Sequence, residues 1–187
     1  MTAIELNCLW AIHHALSCPA LNTFFKGLTL LANSGRIWIA FCLVLILFPK
    51  TRIAGVQLAL ALVLTSIVVN LGIKPLVGRT RPYTAAHFTT IVPHPMGTSF
   101  PSGHTAAAFS TAWAFFLCFR KRHPGWCAWM LILAGLVGFS RMYLFVHYPT
   151  DVLAGAAVGM LIAAAVCKIF SHLADQPDAD RKIDTHP

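Results

Sequence analysis

The chain has 187 residues, 57% of them hydrophobic and only 11% charged, with a mean hydropathy of +0.70, which excludes an ordinary soluble globular domain. In so apolar a chain the formal net charge of +8 reports membrane topology and contact with anionic lipid, not a nucleic-acid partner. The six cysteines are scattered without C-x-x-C spacing, and read as small buried hydrophobes, not as a metal or disulfide framework.

The first basic residue is Lys26, so the N-terminus lacks the basic region of a cleaved signal peptide. Ile4 to Leu16 carries Trp10, His13 and His14 among aliphatics, the pattern of a helix lying at the headgroup level. Apolar segments follow at 28–48, 53–73, 103–119, 126–146 and 150–170, each near the about 20 residues that cross a bilayer. Asn33, Ser34, Gly35 and Arg36 interrupt the first, which divides equally well into a short helix 19–32 and a helix 35–48. That division gives an all-α, polytopic membrane helical bundle of about six transmembrane helices, the first one short, with an N-terminal interfacial helix and a cytoplasmic N-terminus. Short linkers imply one membrane-embedded domain over 1–175, then a polar tail over 176–187 that is expected to be disordered. Gly and Ala between Ala154 and Met160 suit close helix packing in lipid.

Lys50 and Arg52, Arg120 to Arg122, and the stretch Asp178 to Lys182 fall on one side if the intervening segments each cross once, and their positive charge makes that side cytoplasmic. The opposite side collects "KPLVGRTRPY" (Lys74 to Tyr83), "FPSGH" (Phe100 to His104) and "SRMYLFVHYPTD" (Ser140 to Asp151). Ionisable residues are costly at membrane depth and mark function. Cations converging with two histidines and one carboxylate suit a strongly anionic ligand, and guanidinium geometry favours phosphate. The loop over 84–98 lies beside this cluster, where it would serve as an entrance or lid.

A helix beginning near Ser102 would aim its free N–H groups at such an anion, with Gly103 clearing the approach and His104 on the first turn. In the third stretch Pro149 suits the first helical position, making Tyr148 the cap and Asp151 the third helical residue. There Asp151 would reach back, accept the Nδ1 proton of His147 and present Nε2 as a nucleophile.

Lys74 with Arg81-Pro82, "PSGH", and Ser140-Arg141 with His147 and Asp151 together resemble the three-part signature of the type 2 phosphatidic acid phosphatase family, over residues 74–151. The resemblance implies that His147 attacks phosphorus and forms a phosphohistidine oriented by Asp151. It implies that His104 protonates the leaving oxygen and later activates water. Lys74, Arg81, Ser102, Gly103 and Arg141 would hold the phosphoryl oxygens, with no metal and no cofactor. Arg79 lies outside the signature and is a candidate for a second phosphate or a lipid headgroup. The implied substrate is a polyprenyl or glycerolipid phosphate, with undecaprenyl diphosphate the leading expectation, and phosphatidylglycerophosphate, phosphatidate and lipid A phosphate as alternatives. The implied place is the bacterial inner membrane, multi-pass, with the site facing outward. A phosphotransferase would share these residues; an anion carrier would need no His147–Asp151 pair.

Overall fold

Proline and glycine set most helix boundaries. The computed structural model describes residues 2–175, and among these every element is helical: α1 (Thr2–Leu16), α2 (Pro19–Ala32), α3 (Arg36–Leu47), α4 (Arg52–Ile67), α5 (Lys74–Val77), α6 (Pro82–Ala85), α7 (Gly103–Phe119), α8 (Pro124–Tyr143) and α9 (Pro149–Ala174). Proline opens α2, α6, α8 and α9, where its missing N–H leaves no bond unmade. The expected polar tail, 176–187, lies outside the described residues.

Four stretches of the described chain are long and apolar enough to cross a membrane: Pro19–Leu47, Arg52–Ala85, Pro124–Tyr143 and Pro149–Ala174. Of the two divisions open for the first apolar segment, the chain takes the broken one. Between α2 and α3 a short turn, Asn33–Gly35, holds Ser34 and Gly35 at φ 55° and 72°, values that end a right-handed helix. Yet both halves belong to one apolar stretch, so the six-helix count, which took 19–32 and 35–48 as separate crossings, is not reproduced. The expected segment 126–146 also ends early. Leu144, Phe145 and Val146 are apolar but not helical; they are buried in a turn where Val146 and His147 N–H both donate to the Arg141 carbonyl at 3.1 and 3.2 Å.

The centre of the bundle is the contact of α7 with α9. A Cβ on Gly155 would stand 2.5 Å from the Ser102 carbonyl oxygen, and one on Gly159 2.3 Å from that of Ala106. Small residues on α7, including Ala106, Ala108, Ala112 and Ala114, are buried in the bundle, and Thr65 of α4 donates to Ser110 at 3.0 Å in the interior. The outside is apolar as well: Leu43, Leu47, Val63, Leu153 and Leu161 are exposed, which suits lipid as solvent. Trp38 is buried, whereas Trp126 and Trp129 are exposed in the manner of interface anchors. Of the cysteines, all free, only Cys42 and Cys127 are fully buried, while Cys8, Cys18 and Cys118 face outward.

Gly159→Ala forces α9 away from α7 and is expected to cost about 1–3 kcal/mol, read as a lower melting temperature in detergent. Gly135, which has nothing within 4 Å of a Cβ, is the control position, where alanine is expected to leave the melting temperature unchanged or raise it.

Candidate active site

The ends of α4–α5, α8 and the starts of α7 and α9 meet at one end of the bundle. Below Lys74 the helix widens into a π-helical stretch, Val68–Ile73, a distortion common at functional sites. It brings Asn70 and Lys74 up to Gly103, where a Cβ would meet Asn70 Oδ1 at 3.5 Å and Lys74 Nζ at 3.6 Å. Any larger residue at Gly103 would occupy the space above the first N–H groups of α7. Ser102 caps that helix, its Oγ accepting from Thr105 N at 3.4 Å and Thr105 Oγ1 at 2.9 Å.

Arg81 is buried, and its guanidinium donates to the carbonyls of Gly97, Met96 and Val146 at 3.0 to 3.2 Å. The same group lies 3.2 Å from His147 Nε2. Because an arginine only donates, Nε2 is the acceptor and the ring proton sits on Nδ1. His147 therefore turns an unprotonated nitrogen towards the cations. The loop expected to act as a lid is tied to the site through those Met96 and Gly97 carbonyls, and by Tyr83, whose hydroxyl donates to the Pro95 carbonyl at 3.3 Å and whose ring stacks on His94 at 4.3 Å.

Behind His147 stands Asp151, fully buried. Its Oδ2 accepts the Tyr148 N–H at 2.9 Å, the reach back that the sequence pattern implied, and lies 3.5 Å from His147 Nδ1. Ser99 was not foreseen: its hydroxyl donates to the same Oδ2 at 2.5 Å and is 3.5 Å from Nδ1. The Nδ1 proton thus faces two acceptors, the carboxylate and the serine oxygen. Asp151 also receives the Ser102 N–H on its backbone carbonyl at 2.9 Å, which fastens the start of α7 to the start of α9.

Arg79 is not free for a second phosphate. It donates to Asp151 Oδ1 at 2.6 Å, to Thr150 at 2.7 Å and to Glu5 at 2.5 Å, and lies over the Tyr148 ring at 3.9 Å. Glu5, on α1, was missed, though a signal existed: Glu5 and Asp151 are the only carboxylates before residue 175. Thr29 of α2 was missed too; it accepts from Arg141 Nη1 at 2.7 Å, and no sequence motif marked it.

Lys74, Arg81, Gly103, His104, Arg141 and His147 line a cavity of about 370 Å³, whose other walls are the Asn33–Gly35 break and the apolar side chains of Ile39, Leu62 and Val63. Six of the eight expected site residues reach it; Ser102 and Asp151 stand behind them. His104 Nε2 and Arg141 Nε are buried there without hydrogen-bond partners. Among the described residues no three His, Cys, Asp or Glu side chains gather closely enough to hold a metal ion.

Burial pushes the His147 imidazole, in the turn between α8 and α9, down to about 3; Arg141 and Arg81 add to the shift and Asp151 opposes it. The ring is therefore neutral over the ordinary pH range.

A cavity lined by cations and a histidine, at one end of a bundle of membrane-length helices, defines the chain as a membrane protein with a site suited to an anion. Residues 54–174 match the model of the PAP2 superfamily, and the chain belongs to that family. It is similar to Undecaprenyl-diphosphatase of Sulfolobus acidocaldarius, 33% identical over 148 residues that cover 75% of this chain and 68% of that one. It is 36% identical to Undecaprenyl-diphosphatase BcrC of Bacillus subtilis over 99 residues, covering 53% of this chain and 49%, about half, of that protein's length. The crystal structure of a transmembrane PAP2 type phosphatidylglycerolphosphate phosphatase from Bacillus subtilis superposes with a TM-score of 0.75 at 27% identity, over 91% of this chain and 86% of that one.

Between the ordinary histidine value of 6.5 and the lowered value of about 3, the unfolded chain binds a proton at His147 that the folded chain refuses. Stability must therefore fall as pH drops through this window. Replacing His147 by Gln is expected to flatten that part of the dependence of melting temperature on pH; an unchanged slope would show that the ring is not held neutral.

Proposed function

We propose that the protein is an integral membrane phosphatase that hydrolyses a lipid phosphate or diphosphate, undecaprenyl diphosphate first among them, through a phosphohistidine on His147. The observation that carries this reading is the unprotonated Nε2 of His147 facing a cavity lined by Lys74, Arg81 and Arg141. The names borne by the two relatives support the choice of a polyprenyl diphosphate.

In this reading Lys74, Arg81 and Arg141 hold the phosphoryl oxygens, together with the free N–H groups at Gly103 and His104 that Ser102 sets in place. His147 Nε2 attacks phosphorus, the bond to the leaving oxygen breaks, and that oxygen takes a proton from His104. The negative phosphoryl group brings the charge that an imidazolium beside three cations requires. Water then gives a proton to His104 and attacks the phosphohistidine; the P–N bond breaks and inorganic phosphate leaves. Asp151 and the Ser99 hydroxyl stand at Nδ1 throughout and stabilise the positive charge on the phosphorylated ring. Charge neutralisation comes from side-chain cations, so neither metal nor cofactor takes part.

The domain is one unit over residues 1–175, in a bacterial inner membrane. α7, 17 residues long, extends about 26 Å and crosses with α2–α3, α4, α8 and α9, which makes five crossings. Lys50, Arg52 and Arg120 to Arg122 mark the cytoplasmic end, and the site opens outward. α1 lies at the site end, since Glu5 reaches Arg79 and Thr150, with its exposed apolar face in the interface. This puts the N-terminus outside, opposite to the six-helix expectation. The substrate's tail runs along the wall of Ile39, Leu62 and Val63 into lipid.

The purified protein is expected to release phosphate from undecaprenyl diphosphate faster than from phosphatidylglycerophosphate, phosphatidate or lipid A, unaffected by EDTA, inhibited by vanadate and silent in His147→Ala. Loss of activity on chelation, restored by a divalent ion, would refute the metal-free site. Binding without release would make the protein a transferase or a carrier. The rate profile against pH is expected to be bell-shaped, since one histidine must be neutral and the other protonated; a flat profile would remove the acid–base pair.

A further inference from the structure

The phosphohistidine reading leaves one charged group unexplained. Glu5 is a buried carboxylate on the first helix, outside every motif, with 9% of its side chain exposed, yet it is tied to the site by three hydrogen bonds. Its Oε2 meets Arg79 at 2.5 Å, and its Oε1 takes the Thr150 hydroxyl at 2.6 Å and the Thr150 N–H at 3.3 Å. Arg79 passes on to Asp151 Oδ1 at 2.6 Å, and Asp151 Oδ2 lies 3.5 Å from His147 Nδ1. The order of charges behind the nucleophile is therefore minus, plus, minus.

Electrostatics gives this order a purpose. His147 faces Asp151 on α9, Arg81 at the start of α6, Arg141 on α8, His104 on α7 and Lys74 on α5, with Arg79 and Glu5 behind Asp151 and Tyr148 beside it. All of these but the carboxylates are cationic or neutral. An Arg79–Asp151 pair alone has no net charge, so its field at the imidazole would largely cancel. Adding Glu5 returns the group to a net charge of minus one, buried where screening by salt is weak. We propose that Glu5 is a positioning residue for the reaction: it neutralises Arg79, so that Asp151 keeps an uncancelled negative charge behind His147 and the phosphorylated, positively charged imidazole is stabilised. This rests on the phosphohistidine reading above.

Two consequences separate this from a mere tether. Removing the charge of Glu5 makes His147 harder to protonate; removing that of Arg79 makes it easier. Glu5→Gln keeps the shape and the Thr150 contact, and is expected to lower kcat about tenfold with KM little changed. It should also move the acid limb of the pH profile to lower pH by about half a unit. Arg79→Gln is expected to move the same limb to higher pH, and the double variant to return it towards the wild-type position. A tether would slow all three variants with the limb in place, and that outcome, or a loss confined to KM, overturns the inference. The same three variants, labelled with ¹⁵N histidine, report the His147 ring titration without any turnover. If wild-type protein releases no phosphate, the phosphatase reading falls on its own, while equal ring titration in every variant would remove the role of Glu5 independently.

Discussion

The structure depends on one buried carboxylate. Asp151 accepts the Tyr148 N–H that starts α9, the Ser99 hydroxyl from the loop before α7, and Arg79 from the segment after α5. Its backbone carbonyl takes the Ser102 N–H at the start of α7. Burying a charge is tolerable only when every lone pair has a donor, so the three segments that carry the site must come together wherever Asp151 is ionised. A single residue thus fixes both the tertiary junction and the back of His147.

The front of the site is built on the opposite condition. Arg81 and Arg141 are buried with carbonyls and a threonine as their acceptors, and Lys74 stands near them at the cavity wall. Among the described residues no carboxylate lines that cavity. Like charges held together in this way favour an anionic ligand, and groups already fixed in place need not reorganise around one. Close packing supplies the rigidity: glycines at 155 and 159 set α9 directly against the α7 backbone, so the cap at Ser102 and the turn at His147 cannot drift apart.

A lipid-facing exterior completes the arrangement. One wall of the cavity belongs to the break between α2 and α3 and to apolar side chains of α3 and α4, so charged and apolar linings share one opening. The left-handed residues at Ser34 and Gly35 interrupt an otherwise continuous apolar helix beside the charged groups. The break therefore belongs to the site as much as to the fold.

Much of this was legible beforehand because it is local. Hydropathy marked the helices, Pro149 and Asp151 described the start of α9, and Ser102 with Gly103 described the start of α7, all through contacts within three or four residues. The grouping of Lys74, His104, Arg141 and His147 was legible because alternate connections between apolar segments share a membrane face, and because the three stretches resemble one family's signature. Arg79 was misread because its partners, Glu5 and Asp151, lie 74 and 72 residues away. Thr29, 112 residues from Arg141, carried no signal for the same reason, and the apolar run Leu144 to Val146 looked helical because burial in a turn and burial in a span read alike. The sequence by itself determined the membrane class and the helix starts at Gly103 and Pro149, since each follows from composition or short-range hydrogen bonding. Only the tertiary structure decided which charges pair, that Arg81 meets His147 Nε2, and that α1 holds the site from behind, because those depend on distances between segments that no local pattern encodes.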